Sequence, residues 1–306
     1  MLGISLEGQV GLVTGAGSAY GIGRSMVIAL AQAGAAAVYA CDLNLGSIDS
    51  LKDEVKSLGL STLVEGRVLD VASEEQTVAV LQDILRKHGR FDFFLANAGY
   101  AVYRSLDTLS ADQFMRAVEV MQKAPYLAVK YGSQAMAVTS PAKPQSKGSV
   151  VITSSCAAFA GAYADLVYTA VKKACNGIVE SGSVQLASSN IRVNGVAPGC
   201  TKSSILTSSK LAEAGNEYRV EASREDVEAT HAKFFERGGL FEKGQEHKYY
   251  NRTAEPAEIA YVAAFLASDL ASAVNGQILL ADSGKTAAAT GEGFTGPVAA
   301  MPPLKF

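Results

Sequence analysis

The four cysteines of this 306-residue chain, Cys41, Cys156, Cys175 and Cys200, include no C-x-x-C pair, and none stands at ligand spacing from a histidine. That pattern speaks against a disulfide framework and against a zinc site: no metal is expected, and the thiols read as reduced, as in the cytoplasm. No basic run interrupts a net charge of −3, so nucleic acid is not an expected partner. No apolar stretch is long enough to span a bilayer. The opening MLGISLEGQV lacks a basic region followed by an apolar core, and the closing PPLKF is not a peroxisomal tail. A soluble cytoplasmic protein without membrane attachment is the expectation. Internal repeats are missing too. What is present is a 48% apolar fraction with 29 glycines, the composition of a compact, core-rich chain and not of a disordered or fibrous one.

Residues 9–14 (QVGLVT) form a short apolar strand that runs into the stretch GAGSAYGIG at 15–23. A helix follows, with Met26, Val27, Leu30 and Ala31 at helical spacing and Gly34 to close it, and then a second strand at 35–42. Strand, glycine-rich turn, helix and strand make a βαβ unit of the dinucleotide-binding kind. Glycines let the backbone approach a pyrophosphate, and the helix N-terminus offers free N–H donors at the positive end of its dipole. Gly15, Ser18, Tyr20, Gly21 and Ile22 are the turn positions expected to bind the cofactor. Asp42, nineteen residues beyond Gly23 at a strand end, can accept from both ribose hydroxyls. A carboxylate there repels a 2′-phosphate, and neither Leu43-Asn44 nor Ser18, Ala19 and Tyr20 supplies a cation, so NAD is expected over NADP. The competing reading is that Asp42 caps a helix beginning near Ser47.

The alternation continues. Helices are expected over 47–58, 73–88 (with Ser73 and Gln76 as a capping box), 110–138, 165–188 and 255–267. Strands are expected over 61–71, 91–95, 150–153, 191–196 and 277–281. Strict alternation means a parallel sheet covered on both faces: one doubly wound α/β domain of the Rossmann type over 1–285. Ligands should sit outside the carboxyl ends of the strands. The charged, aromatic stretch 204–253 reads as a substrate-loop insert, and the Ala/Gly/Pro-rich 286–306 as a C-terminal tail.

Ser155 ends an apolar, β-branched run; thirteen residues later comes Tyr168, and Lys172 follows four after that. On a helix the Tyr and Lys share one face, one turn apart. An ammonium beside a phenol favours the phenolate, so such a Tyr can exchange a proton with a substrate oxygen near neutral pH while a Ser hydroxyl steadies that oxygen. Tyr-x-x-x-Lys alone also recurs by chance on amphipathic helices; the remaining motifs decide between the two readings.

Taken in order, these residues resemble the short-chain dehydrogenase/reductase family over roughly residues 8–284. The motifs are the turn from Thr14 to Gly23, Asp70-Val71, Asn97-Ala98-Gly99, Ser155, Tyr168, Lys172, Arg192-Val193-Asn194, Pro198-Gly199 and Asp282-Ser283-Gly284. The resemblance implies an NAD-dependent interconversion of a secondary alcohol and a ketone, on a substrate with substantial apolar area. It implies Tyr168 as general acid/base, Lys172 lowering its pKa while binding the nicotinamide ribose, and Ser155 positioning the substrate oxygen. Asp70 and Val71 would meet the adenine, Asn97, Ala98 and Gly99 would back the cofactor, and Pro198, Gly199, Thr201 and Ser203 would hold the nicotinamide. It further implies a homodimer or homotetramer assembled through the helices 110–138 and 165–188.

Three departures stand out. The turn carries two extra residues, so Ala19 or Tyr20 bulges near the phosphates. Ala96 stands where many relatives have a second Asn before Asn97. Met121 occupies the position of a catalytic Asn that holds a water linking Lys to solvent, a task a thioether does poorly, and the neighbouring Gln122 points about 100° away on a helix. That loss keeps open a non-redox step on the same fold (isomerisation, dehydration or cyclisation) or a regulatory NAD-binding role. Cys156 and Cys200 read as packing thiols, and His88 as a surface helix end. His231 and His247 lie in the insert, where Phe234, Phe235, Phe241, Tyr249 and Tyr250 form either a lid over the substrate or the insert's own core.

Overall fold

A computed structural model describes residues 3–102, 104–207, 222–237 (side chains to 233), 249–288 and 303. Seven parallel strands run in the order β3-β2-β1-β4-β5-β6-β7. They are β1 (Val10–Thr14), β2 (Ala37–Asp42), β3 (Leu63–Val68), β4 (Phe93–Ala96), β5 (Gly148–Thr153), β6 (Ile191–Pro198) and β7 (Ile278–Ala281). The chain builds outward from β1 to β3, then returns to lay β4 on the other side of β1. A crevice therefore opens at the carboxyl ends of β1 and β4, where neighbouring connections leave in opposite directions.

The helices are α1 (Ile22–Gln32), α2 (Ile48–Ser57), α3 (Glu74–His88), α4 (residues 111–137), α5 (Leu166–Gln185), α6 (Arg224–Arg237), α7 (Pro256–Ala267) and the short α8 (Lys285–Ala288). On one face of the sheet Met26 and Leu30 of α1 pack with Ile259 and Ala263 of α7 against Val13, Val38 and Val151. On the other, Ile84 of α3, Met136 of α4 and Val179 of α5 pack against Leu12, Phe94 and Val150. The central strands β1, β2, β4 and β5 are buried almost throughout, as strands covered on both sides require.

Three local departures from the expected elements bear on the site. Strand β3 stops at Val68, because at the sheet edge its last partner is Asp42; Asp70 and Val71 follow in a turn. The Ser73 hydroxyl accepts from Gln76 N, but the Gln76 side chain reaches back to Asp70 N (2.9 Å) instead of Ser73 N, so it fixes that turn. Within α4 two segments, Glu119–Lys123 and Ala128–Gly132, widen to π-helical turns. Pro125 lies just after the first and has no N–H to give the carbonyl of Met121. No helix among the described residues is long and apolar enough to cross a membrane.

Candidate active site

The glycine turn is shaped by contacts that leave no room for a side chain. Gly15 has φ +70°, and a Cβ there would lie 2.8 Å from Ala98 Cα; at Gly17 it would lie 2.0 Å from Asn44 O. The Ser47 hydroxyl donates to Gly17 O. The N-cap of α1, Gly21, offers no side chain to the first-turn N–H groups, so these remain available to an anion in the cavity. Tyr20 is 37% exposed and does not line the cavity, contrary to its expected place, but its carbonyl accepts from Ser204 N (3.1 Å). Beside it the Ser18 and Ser204 hydroxyls lie 2.6 Å apart, joining the turn to the loop after Pro198-Gly199.

Asp42 does not cap α2. Its carboxylate accepts from Gly17 N (2.8 Å) and Asn44 N (3.3 Å), and burial raises its pKa against the opposing pull of those N–H groups. From here a single cavity of about 320 Å³ runs along the strand ends. Asp42, Asp70 and Val71 line one end. Gly15, Asn97, Ala98 and Gly99 line the middle, and Pro198, Gly199, Thr201 and Ser203 the β6 side. Ser203 Oγ is buried and makes no hydrogen bond, a polar atom left for a ligand. Glycine cradle, open helix terminus, terminal carboxylate and spare hydroxyl together fit a dinucleotide.

Ser155, Tyr168 and Lys172 meet on the same cavity. Ser155 lies just past β5, and its Oγ accepts from Ala157 N (3.1 Å), which leaves the hydroxyl proton free to donate inward. Asp165 caps α5 by accepting from Tyr168 N (2.9 Å), so the phenol is carried on the first turn of a fixed helix. Lys172 is 4% exposed, and its Nζ donates to Thr153 O (2.8 Å) at 5.6 Å from the centre of the Tyr168 ring. Burial lowers the Lys172 pKa. A polar chain ties this group to the turn: Thr153 Oγ1 donates to Asn97 Oδ1 (3.1 Å), while Asn97 Nδ2 donates to Thr14 O (3.1 Å). A second tie fixes Lys172 from behind, where Ser154 Oγ contacts Asn176 Oδ1 (2.6 Å) and Lys172 O (3.3 Å).

Met121 is fully buried, packed with Ala117, Val167 and Val171. A Cβ on Gly99 would meet its Sδ at 3.4 Å and Lys172 Nζ at 3.7 Å, so thioether and ammonium flank the same glycine. Gln122 is not on the cavity wall. Cys156 and Cys200 do line the cavity, with burial pushing their thiols up to about 11 and about 12. His231 is buried in α6 against the Ser203 backbone and away from the cavity, and His88 bonds to Tyr39 Oη (3.0 Å). Tyr249 is exposed and, like Tyr250, does not line the cavity; from the insert Ile205, Leu206 and Arg252 do. His247, Phe241 and the side chains of Phe234 and Phe235 lie outside the described residues. Arg116, Arg252 and Lys285 reach the wall without a motif to announce them. No cluster of three His, Cys, Asp or Glu able to hold a metal occurs among the described residues.

A family model described as short chain dehydrogenase matches residues 9–214, and one described as Enoyl-(Acyl carrier protein) reductase matches residues 223–286. The chain is 32% identical to the 3-oxoacyl-[acyl-carrier-protein] reductase FabG of Thermotoga maritima, over 91% of this chain and 98% of that one. It is 29% identical to the 7alpha-hydroxysteroid dehydrogenase of Escherichia coli K12, over 92% and 95%. Among solved structures, levodione reductase matches with a TM-score of 0.74 at 26% identity, covering 92% of this chain and 98% of that one.

Proposed function

The chain belongs to the short-chain dehydrogenase/reductase family, oxidoreductases acting on hydroxyl and keto groups, and from that premise we propose that it interconverts a secondary alcohol and a ketone on a largely apolar small molecule, with NAD preferred over NADP. The observation that carries the reading is the convergence of Ser155, Tyr168 and Lys172 on a cavity that extends to the Asp42 carboxylate. Gly15, Ser18, Gly21 and Ile22 would hold the pyrophosphate, Asp42 the adenosine ribose, and Asp70 and Val71 the adenine. Thr201 and Ser203 would hold the carboxamide. Held by these residues, a nicotinamide would supply or accept the hydride of the reaction.

The protein supplies the rest. The Ser155 hydroxyl donates to the substrate oxygen and sets its orientation. The Tyr168 hydroxyl gives or receives that oxygen's proton, and the Lys172 ammonium stabilises the phenolate form while it lasts. Ile205 and Leu206 supply apolar wall beside them. Tyr168→Phe tests the proposal: it should lower kcat by about a thousandfold, as loss of a general acid/base does, with NADH affinity nearly unchanged. The readout is absorbance at 340 nm against a panel of ketones and secondary alcohols. Turnover that survives in the variant would refute the assignment of Tyr168.

Met121 supports a second reading, a non-redox step on the same scaffold; product formation from a substrate with no change at 340 nm would identify it. Met115, Tyr126, Leu166 and Val184 present exposed apolar surface on α4 and α5, which supports assembly as a homodimer or homotetramer through those helices.

A further inference from the structure

The helix face that carries Tyr168 and Lys172 continues one turn beyond them. Tyr168, Lys172 and Asn176 recur every four residues along α5 and lie in one stripe. Asn176 is half-buried and is not on the cavity wall, so any part it takes in the reaction is played through another residue.

The end of β5 meets this stripe through consecutive residues. Thr153 O accepts from Lys172 Nζ (2.8 Å). The Ser154 hydroxyl lies 2.6 Å from Asn176 Oδ1 and 3.3 Å from Lys172 O, and its one proton is shared between these acceptors. Ser155, next in the chain, lines the cavity with Tyr168. Ser154 is itself fixed to the sheet: it is 1% exposed, and its N–H donates to Val196 O of β6 (2.7 Å). The Ser154–Asn176 bond therefore ties α5 to a strand end that is already anchored. The separation it sets is the one between Ser155 on one side and Tyr168 with Lys172 on the other.

That separation needs holding. Burial works against the Lys172 charge, and the group that receives its ammonium is a neutral carbonyl. A cation so placed gains by moving toward water or by shedding its proton, and either change weakens its support of a Tyr168 phenolate. A polar bond one turn along the same helix face resists the movement.

We propose that Asn176, acting through Ser154, is a positioning residue for hydride transfer: it holds the Tyr168–Lys172 face of α5 at its working distance from Ser155. This rests on the cavity being the site where alcohol and ketone are interconverted. The bond acts on the geometry of the reacting centre and not on affinity for cofactor or substrate.

The test compares the parent with Asn176→Leu, Asn176→Asp, Ser154→Ala and the double variant Ser154→Ala/Asn176→Leu. The rate of hydride transfer is followed in single turnovers at 340 nm, with sites counted by NADH titration so that only folded protein contributes. Asn176→Leu is expected to slow the step at least about tenfold, inside the loss that a displacement of about 1 Å can cause. Affinity for substrate and for NADH should be nearly unchanged, which separates chemistry from binding. Asn176→Asp keeps an acceptor at the same place and should recover most of the loss. Because the two side chains act as one pair, the double variant should be no slower than Ser154→Ala alone. A parent rate in Asn176→Leu, or losses that multiply in the double variant, overturns the proposal while leaving the dehydrogenase reading intact. So does a loss in Asn176→Leu that falls on substrate or NADH affinity and not on the rate. A parent that binds NADH but turns over no alcohol or ketone removes that reading, and the proposal with it.

Discussion

The Cys175 thiol donates to the main-chain oxygen of Met121 across 3.1 Å, joining α5 to the π-helical turn of α4. Pro125, four residues on, has no N–H to give that carbonyl the usual α-helical bond. The thiol and the Met121 thioether close an apolar, fully buried flank beside Lys172, where the family keeps an Asn and a water. In the proposed reaction, with that flank closed, the proton handled by Tyr168 would exchange with solvent through the cavity. Turnover should therefore rise with the concentration of a small buffer such as imidazole. Met121→Asn should raise kcat and flatten the buffer dependence, while lowering Tm by the equivalent of about 1–3 kcal/mol for a polar group buried without full satisfaction. A parent kcat indifferent to imidazole would show that the proton takes another route.

Asp42 should make cofactor choice sensitive to pH. Burial raises its pKa, so its charge fades as pH falls toward that raised value, and with it the repulsion of a 2′-phosphate. The ratio of Kd for NADP to Kd for NAD is expected to shrink as the solution is acidified. Asp42→Ser should give a small ratio throughout and provides the baseline for titration of the phosphate itself. The sign for stability is separate: a carboxyl with a raised folded pKa favours folding at low pH, and that contribution is lost as pH rises through the folded value. Asp42→Asn should therefore raise Tm near pH 7 in the absence of cofactor.

Two glycines give opposite expectations. At Gly17 an added Cβ would sit 2.0 Å from Asn44 O and 2.7 Å from Asp42 Cβ, so Gly17→Ala must displace the turn. It should weaken NADH binding at least about tenfold, the factor that a 1.4 kcal/mol loss produces. Gly177 lies exposed within α5 with open space around it, and Gly177→Ala should stabilise the protein by about 1 kcal/mol. Paired thermal melts and NADH titrations check both.

The cavity thiols should be inert at neutral pH. Burial pushes Cys156 up to about 11 and Cys200 up to about 12, so neither is a thiolate there. Inactivation by iodoacetamide should be slow at pH 7 and accelerate as pH rises toward 11. Cys156→Ser should keep kcat/KM within a few-fold of the parent. Rapid inactivation at pH 7, protected by substrate, would contradict this.

The sequence exposes those parts of the site whose geometry is local. Tyr168 and Lys172 share a helix face because of their spacing, and Asp42 sits at the carboxyl end of β2 because the βαβ pattern puts it there. Tyr20 shows where spacing stops helping: an insertion says that the chain must bulge, but its direction is set by Ser204, 184 positions later in sequence. Lys285 reaches the cavity through the register of β6 with β7, and Cys175 meets Met121 through the packing of two helices. Neither relationship has a sequence period. Gln76 is an intermediate case, since its pairing with Ser73 is a local motif, yet its side chain answers to the turn at Asp70.

The contacts from Ser18 and Tyr20 to Ser204 also bear on time. They fasten two loops across the cavity by one hydroxyl pair and one main-chain bond. For a dinucleotide bound as proposed, with its pyrophosphate at the turn that carries this fastening, opening of the fastening would be one step of release. Where that step is the slow one, residence is governed by how often the clasp opens, and two ligands of unequal affinity can share one exit rate.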